Sequence, residues 1–266
     1  MELLTAEFFQ RALIGGALIA VTAPLMGLFL VLRRLAMIGD TLSHVSIAGV
    51  ALGFLINVYP VAAGLAFAIA ASFAIEALRR TYRTFAELSI AIIMSGGIAL
   101  ASILFTVGRG YNMNVSSYLF GSIYTLDGTD LIVIAAVTAV VLAAVLLLKK
   151  ELFLLTFEEE AAAVSGLPVR YFNVLISVLA ALVISVSIKI VGALLVSALL
   201  TIPAACSLAL AKSFRQAIAL VVIVGEVSVI AGLWIAGIWS QAPGGTIVLV
   251  MIAALLLSLA ARKIRV

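Results

Sequence analysis

The sequence predicts an all-α protein, a polytopic bundle of transmembrane helices with about nine spanning segments, or eight if one fails to cross. Of the 266 residues, 65% are hydrophobic and 11% are charged, whereas a soluble globular chain has roughly 45–50% apolar and about 25% charged residues. Long apolar runs alternate with short charged stretches, and a helix needs about 20 apolar residues to cross a bilayer. Residues 1–266 are therefore predicted to form one transmembrane domain with no separate soluble domain.

Charged residues divide the chain into nine apolar segments, and each must be helical because unpaired backbone groups cannot face lipid. The short alternating strands of a β-barrel are absent from the sequence. Pro24 in the first segment and Pro203 in the seventh leave these two open to being broken or partly re-entrant. The segments are Phe8–Leu32, Met37–Val58, Pro60–Leu78, Ala86–Val107, Leu131–Leu148, Tyr171–Ile188, Gly192–Ala211, Gln216–Ile238 and Thr246–Ala261.

The distribution of basic residues predicts the orientation. If the amino terminus is outside, the inner loops and carboxyl terminus hold 13 of the 16 Lys and Arg residues. Only Arg11, Arg109 and Lys189 then remain outside. Because cytoplasmic loops carry the excess of basic residues, we expect the amino terminus outside and the carboxyl terminus inside. The basic residues come in twos and threes between apolar runs, which is typical of topology signals and does not indicate a nucleic-acid partner.

Two connections are longer than the topology requires. The outer loop, residues 108–130, mixes aromatic and polar side chains and indicates an interfacial surface that could hold a short helix. In the inner loop, residues 149–170, three glutamates precede the helix-favouring run 161–164, which Gly166 and Pro168 end. Acidic residues favour a helix start and glycine its end. We therefore expect a short helix on the cytoplasmic face, near residues 155–168, available to a partner.

Glycine pairs predict where helices approach each other closely. Gly49 and Gly53 form a small-xxx-small pattern within one apolar segment, and Gly96–Gly97 lie in the middle of another. We expect these positions to allow close helix packing.

Asp40 and His44 are the main candidates for chemistry, because ionisable residues within an apolar span are costly and functional by default. Their spacing of four places both side chains, with Ser43 beside them, on one helical face. A carboxylate and the chain's single imidazole form a partial site for a first-row divalent cation. Two interpretations stay open: a metal site, or side chains that bond each other or cap a broken helix.

Three other polar positions have plainer interpretations. Glu226 either faces a pathway or bonds a serine of a neighbouring helix, and the structural role is favoured. Lys189 lies near a predicted outer end, where its stem can extend to the surface as a simple anchor. Cys206, the only cysteine, is expected to be a small packing residue and excludes an internal disulfide.

The sequence contains no catalytic machinery. It has no phosphate-binding loop ending in Gly-Lys-Ser/Thr, no Ser–His–Asp set and no Cys-x-x-Cys pair. These absences indicate a transport protein that is not itself an enzyme.

Four stretches carry a family resemblance. Residues 39–44 (Gly-Asp-Thr-Leu-Ser-His) with 49–53 resemble the signature of permeases in the zinc, manganese and iron ABC transporters. Residues 155–158 with 166–168 resemble the helix by which such permeases dock onto their ATPase. Residues 191–196 with 203–205, and residues 243–248, are similar to two further motifs of that family. The four stretches occur in family order from about residue 8 to 262.

The resemblance implies a transport complex. The permease would be a homodimer in the bacterial cytoplasmic membrane, with two ATP-binding cassette subunits that hydrolyse ATP and a metal-binding lipoprotein or periplasmic protein. A divalent metal ion, zinc or manganese, would be the transported substrate, with no covalently bound cofactor. The resemblance assigns Asp40 and His44 to the pathway. Ser43 and Glu226 are further candidates from the residues themselves, and Glu226 and Lys189 do not match family ligand positions. It assigns ATPase coupling to Phe157, Glu158, Gly166 and Pro168.

The sequence also departs from the family. It has one histidine where many zinc-handling members have more, which weakens the prediction of zinc. Separately, Ile47-Ala48 replace the Leu-Pro often found before Gly49 in the family. Three alternatives remain: an ABC permease for chelated iron or cobalamin, a proton-coupled secondary transporter, and a purely structural membrane subunit.

Overall fold

The computed structural model describes residues 6–82, 85–108 and 115–265, which form twelve α-helices and no β-strand. The predictions that concern Arg83, Arg109 and residues 111–114 lie outside these ranges. The helices are α1 (Glu7–Leu32), α2 (Met37–Leu55), α3 (Pro60–Thr81), α4 (Ala86–Val107), α5 (Val115–Phe120), α6 (Gly128–Leu147), α7 (Lys149–Phe157), α8 (Glu159–Val164), α9 (Val169–Val191), α10 (Val196–Leu210), α11 (Phe214–Trp239) and α12 (Pro243–Arg265).

Eight of these helices, α1–α4, α6, α9, α11 and α12, are long and apolar enough to cross a membrane. Helices α1, α2 and α9 are the most buried and form the centre, while α4 and α12 lie at the periphery. We call the end of the bundle that carries Arg33, Arg79, Lys149 and Arg215 the basic end, and the other the opposite end.

The seventh predicted segment is a short helix that joins the two ends. Helix α10 has 15 residues, about 22 Å at 1.5 Å per residue, and residues 192–195 form a turn before it. At the opposite end Gly192 lies against Leu119, while near the basic end the Ser207 hydroxyl donates to the carbonyl of Ala217 at 2.8 Å. The helix continues through Pro203, so it is not broken.

The first predicted segment is also continuous. Helix α1 runs unbroken past Pro24, whose ring packs against Gly225 of α11. A proline removes one hydrogen-bond donor from a helix interior, and at this position the small glycine of the neighbouring helix accommodates the ring.

The glycine predictions are confirmed at three of four positions. A Cβ on Gly49 would lie 2.6 Å from the carbonyl oxygen of Ala63, and one on Gly53 would lie 2.9 Å from the Cα atom of Pro60 at the start of α3. Gly97 approaches the backbone of Val45, so α2 packs tightly against both α3 and α4. The prediction is wrong for Gly96, which faces open space within the described chain.

The inner loop contains more helix than the sequence indicated. The predicted short helix is present as α8, but residues 149–157 also form a helix, α7, directly after α6, where no separate helix was predicted from the sequence. Leu152 and Leu155 are buried, which explains the helix: its apolar face packs on the bundle and stabilises it. At the other long connection, α5 is the short helix that the aromatic, polar composition allowed.

Candidate functional site

Asp40 and His44 lie on the one open face of an otherwise buried helix. Most of α2 between Ile38 and Gly53 is buried, yet the side chains of Asp40 and His44 are 38% and 21% exposed. Met37, which is 54% exposed, begins the same stripe. The exposed stripe therefore carries one carboxylate and one imidazole within the first two turns of α2.

The two side chains face each other at the limit of ion-pair distance, without a hydrogen bond between them. His44 Nε2 lies 3.9 Å from Asp40 Oδ1, beyond hydrogen-bond range. Two ligand atoms of one ion, each about 2.1 Å from it, are about 3.4 Å apart in tetrahedral geometry. A small side-chain rotation would therefore let both atoms reach one cation.

The structural alternatives are a bond between the two side chains or a cap on a broken helix. Asp40 and His44 do not hydrogen-bond each other, and α2 is continuous with no side-chain cap at its start. The carboxylate oxygens of Asp40 and Nε2 of His44 can therefore bind a ligand from outside this chain.

Contacts on the other faces of α2 fix the direction of the stripe. The Thr41 hydroxyl contacts the Ile90 carbonyl of α4 at 3.5 Å, and the hydroxyls of Ser46 and Ser185 are 3.2 Å apart between α2 and α9. These polar contacts and the close glycine packing hold the helix from three sides. The side chains of Asp40 and His44 therefore lie on the face of α2 that no described helix covers.

Ser43 and Glu226 do not join the pair within one chain. The Ser43 hydroxyl is buried and donates to the Gly39 carbonyl at 2.9 Å. Glu226 is half-buried on α11, and no hydrogen bond or ion pair links it to another described residue, including the serine that the sequence suggested. Within the described ranges no three His, Cys, Asp or Glu residues are grouped to hold a metal ion.

The four predicted coupling residues lie together at the basic end. Phe157 ends α7 and is 50% exposed, and the exposed Glu158 precedes α8. Gly166 has a positive φ of 82° that ends the short helix, and Pro168 precedes α9. The Phe157 ring packs 5.6 Å from the Phe214 ring of α11, so this surface segment is anchored to the bundle.

A buried ion pair at the opposite end was missed by sequence reasoning. Lys189 Nζ lies 2.5 Å from Asp130 Oδ2, and the two side chains are 12% and 2% exposed. Tyr59 also donates its hydroxyl to Asp130. The prediction that Lys189 is a surface anchor is wrong, because the side chain turns inward to a carboxylate 59 residues away, and no local pattern announces that partner.

The surroundings of this ion pair keep its tyrosine hydroxyls protonated. Burial, followed by the hydrogen bond to Asp130, raises the pKa of Tyr59, and burial raises the pKa of Tyr118 to about 12. Asp127 and Asp130 form a capping box at the start of α6, which lowers the pKa of Asp127 chiefly through the backbone hydrogen bond from Asp130. These contacts hold together the three chain segments that meet here, which contain Tyr59, Asp127 with Asp130, and Lys189.

Eight long apolar helices indicate a multi-pass membrane protein. The model of the ABC 3 transport family matches residues 5–262, and the chain belongs to that family. The resemblance predicted from the four motifs is confirmed.

Individual relatives agree with the family assignment. The high-affinity zinc uptake system membrane protein ZnuB of Haemophilus influenzae is 31% identical over 255 residues, 96% of this chain and 97% of that protein. The manganese transport system membrane protein MntC of Halalkalibacterium halodurans is 30% identical over 94% of this chain and 85% of its own. A solved structure, PsaBC from Streptococcus pneumoniae in complex with Fab, has a TM-score of 0.86 at 30% identity, covering 96% of this chain and 92% of that one.

Proposed function

We propose that this chain is the permease of an ATP-driven importer of divalent metal ions, zinc or manganese, in a bacterial cytoplasmic membrane. Two copies would form the pathway at their interface. The basic end would face the cytoplasm, which puts the amino terminus outside and the carboxyl terminus inside.

The exposed Asp40–His44 stripe carries this proposal. A carboxylate and an imidazole on the surface of a membrane helix would be costly against lipid, so another surface must cover them. A symmetric second copy would meet the stripe with the same two residues. Two Asp40–His44 pairs then offer four oxygen and nitrogen ligands, a suitable set for a first-row cation.

Sparse ligation suits a pathway better than a storage site. Each chain supplies two metal-ligand atoms, Asp40 Oδ1 and His44 Nε2, which are 3.9 Å apart. Conduction requires that the ion bind weakly enough to be released. We infer that the ion is held only while both copies contribute, and that relative movement of the copies releases it.

The energy source would be a separate ATP-binding cassette subunit, two copies per complex, since this sequence has no phosphate-binding loop. Exposed Phe157, Glu158 and the Gly166 turn support a docking role for the segment from Leu155 to Pro168 at the basic end. At the opposite end, a metal-binding lipoprotein or periplasmic protein would meet the exposed turn at Trp239.

The zinc and manganese relatives leave the choice of metal open. Imidazole suits zinc, while carboxylate suits manganese, and the site offers one of each per chain.

The alternatives are not favoured. A chelated cargo such as an iron siderophore or cobalamin would have little use for two closely spaced donor atoms on α2. Membership of an ABC family argues against a proton-coupled secondary transporter and against a purely structural subunit.

The test measures metal uptake by variants of the assembled complex. We expect Asp40→Ala and His44→Ala each to abolish zinc or manganese accumulation while the permease still co-purifies with its ATPase. Met37→Leu, on the same exposed stripe but without a hard ligand atom, is the matched control and should transport normally. Unchanged uptake in both alanine variants would refute the site assignment.

A further inference from the structure

Glu159, the first residue of α8, is bonded to two separate parts of the bundle. Its Oε2 accepts a hydrogen bond from Arg33 Nη2 at 3.2 Å, and its Oε1 accepts one from Asn173 Nδ2 at 3.2 Å. Arg33 follows α1 and lies 126 positions away in sequence, whereas Asn173 lies in the first turns of α9. One carboxylate thus joins the short helix to the α1–α2 corner and to α9.

Burial makes the contact with Arg33 consequential. The Arg33 side chain is 4% exposed and Glu159 is 51% exposed, so the guanidinium group depends on a partner that reaches in from the surface. Burial lowers the pKa of Arg33, although the Glu159 charge opposes this effect. A buried charge that loses its partner is strongly unfavourable, so α8 and Arg33 are expected to move together.

The corner that follows Arg33 is rigid. The Arg34 amide donates to the Val31 carbonyl at 3.0 Å and the Leu35 amide to the Leu30 carbonyl at 2.8 Å, which is the paired pattern of a Schellman turn. Arg34 has the positive φ, 58°, that this turn requires. Helix α2 begins at Met37, so only a short, hydrogen-bonded link separates Arg33 from the turn that carries Asp40.

The contacts among Arg33, Glu159 and Asn173 leave one donor atom and one acceptor atom unused, so these side chains could exchange hydrogen-bond partners. Arg33 Nη1 and Asn173 Oδ1 are both buried and have no hydrogen-bond partner among the described residues. A guanidinium group can engage a carboxylate through two parallel bonds, and the amide oxygen can accept from Arg33. The three side chains therefore have more than one way to pair, as a movable contact requires.

We propose that Arg33 and Glu159 are positioning residues that transmit displacement of α8 through the α1–α2 corner to the Asp40–His44 stripe. This inference rests on the proposed function, in which the segment containing α8 docks onto the ATPase. It assigns a role to the ion pair that neither the ion-binding stripe nor the docking surface explains by itself.

The experiment uses the full permease–ATPase complex in vesicles and measures ATP hydrolysed per metal ion accumulated. Glu159→Gln should raise this ratio at least about fivefold, a typical lower bound for coupling between sites, with metal affinity of the complex unchanged. Glu7→Gln removes the same charge from an exposed residue at the opposite end of the bundle, outside the docking segment, and should behave as the wild type. Glu159→Asp should restore part of the coupling, which a purely structural loss would not predict.

A double-mutant cycle tests whether the two residues act through each other. Arg33→Gln should uncouple transport as Glu159→Gln does, and the double variant should be no worse than the more affected single variant. Equal ratios for Glu159→Gln, Glu7→Gln and wild type would overturn the proposal while leaving the transport function intact. Absence of metal accumulation by the wild-type complex would instead refute the proposed function. Co-purification with the ATPase verifies that each variant assembles.

Discussion

Asp130→Asn should destabilise the protein more than loss of an ordinary ion pair. The Asp130 carboxylate accepts from Lys189 Nζ at 2.5 Å, from the Tyr59 hydroxyl and from the Asp127 amide at 3.0 Å. The substitution keeps the shape but removes the charge that balances Lys189. Lys189 is 12% exposed, so water cannot replace the lost carboxylate.

The burial of both Lys189 and Asp130 determines how much free energy of unfolding the substitution costs. Removing one member of a buried ion pair costs about 3–5 kcal/mol, which for a chain of this size lowers the melting temperature by roughly 6–20 °C. Lys189→Met should cost less, about 1–3 kcal/mol, because the carboxylate keeps two other donors. Removing both charges together should cost less than the sum of the two single substitutions, with a coupling energy of about 2 kcal/mol.

Thermal unfolding of the purified permease in detergent, followed by circular dichroism, measures these differences. The matched control is the ion pair of Glu7 and Arg11, whose side chains are 77% and 34% exposed. Glu7→Gln should change stability by less than about 1 kcal/mol, as is typical of surface pairs. Equal shifts for Asp130→Asn and Glu7→Gln, or additive effects in the double variant, would show that burial does not make this pair important.

Three further predictions concern other positions. Gly192→Ala should prevent stable folding, because Gly192 has a φ of 86° and an added Cβ would lie 2.4 Å from the Leu119 carbonyl oxygen. Gly128→Ala is the control and should be tolerated, because no atom lies within 4 Å of the added Cβ. Expression level and melting temperature measure the effect of both variants. Glu226→Gln should leave metal uptake within about twofold of wild type, because Glu226 is not grouped with the predicted ligands in one chain; a larger loss in a transport assay would place it on the pathway. Gly166→Val should uncouple ATP hydrolysis from uptake, because a branched side chain disfavours the φ of 82° that ends α8; normal coupling would argue against the docking role.

Most of the fold could be predicted because apolar length and charge are local properties. Eight segments were identified within a few residues, since lipid requires about 20 apolar residues per crossing. Helix α7 was missed because it is short and only two of its residues, Leu152 and Leu155, are buried. Its helical state depends on packing against the bundle, which no local pattern records.

The candidate site was predictable only in part. Asp40 and His44 stand out because ionisable residues are rare in apolar segments, and their spacing alone places them on one face. The partners of Lys189 and Arg33 could not be predicted, because each lies on a helix distant in sequence. Long-range pairing of charges is set by how the helices pack.

The state of the Asp40–His44 pair itself argues for a role in ion binding. Four other ion pairs within the described ranges, Arg11–Glu7, Lys189–Asp130, Arg33–Glu159 and Arg79–Glu76, have separations of 3.2 Å or less. Asp40 and His44, although one helical turn apart and suitably placed, remain at 3.9 Å with both side chains partly exposed. A pair whose role was structural would be expected to close like the others, since an unmade hydrogen bond in an apolar setting is unfavourable. Two ligand side chains that are not hydrogen-bonded to each other, on a face that protein or water must cover, are suited to binding a cation transiently.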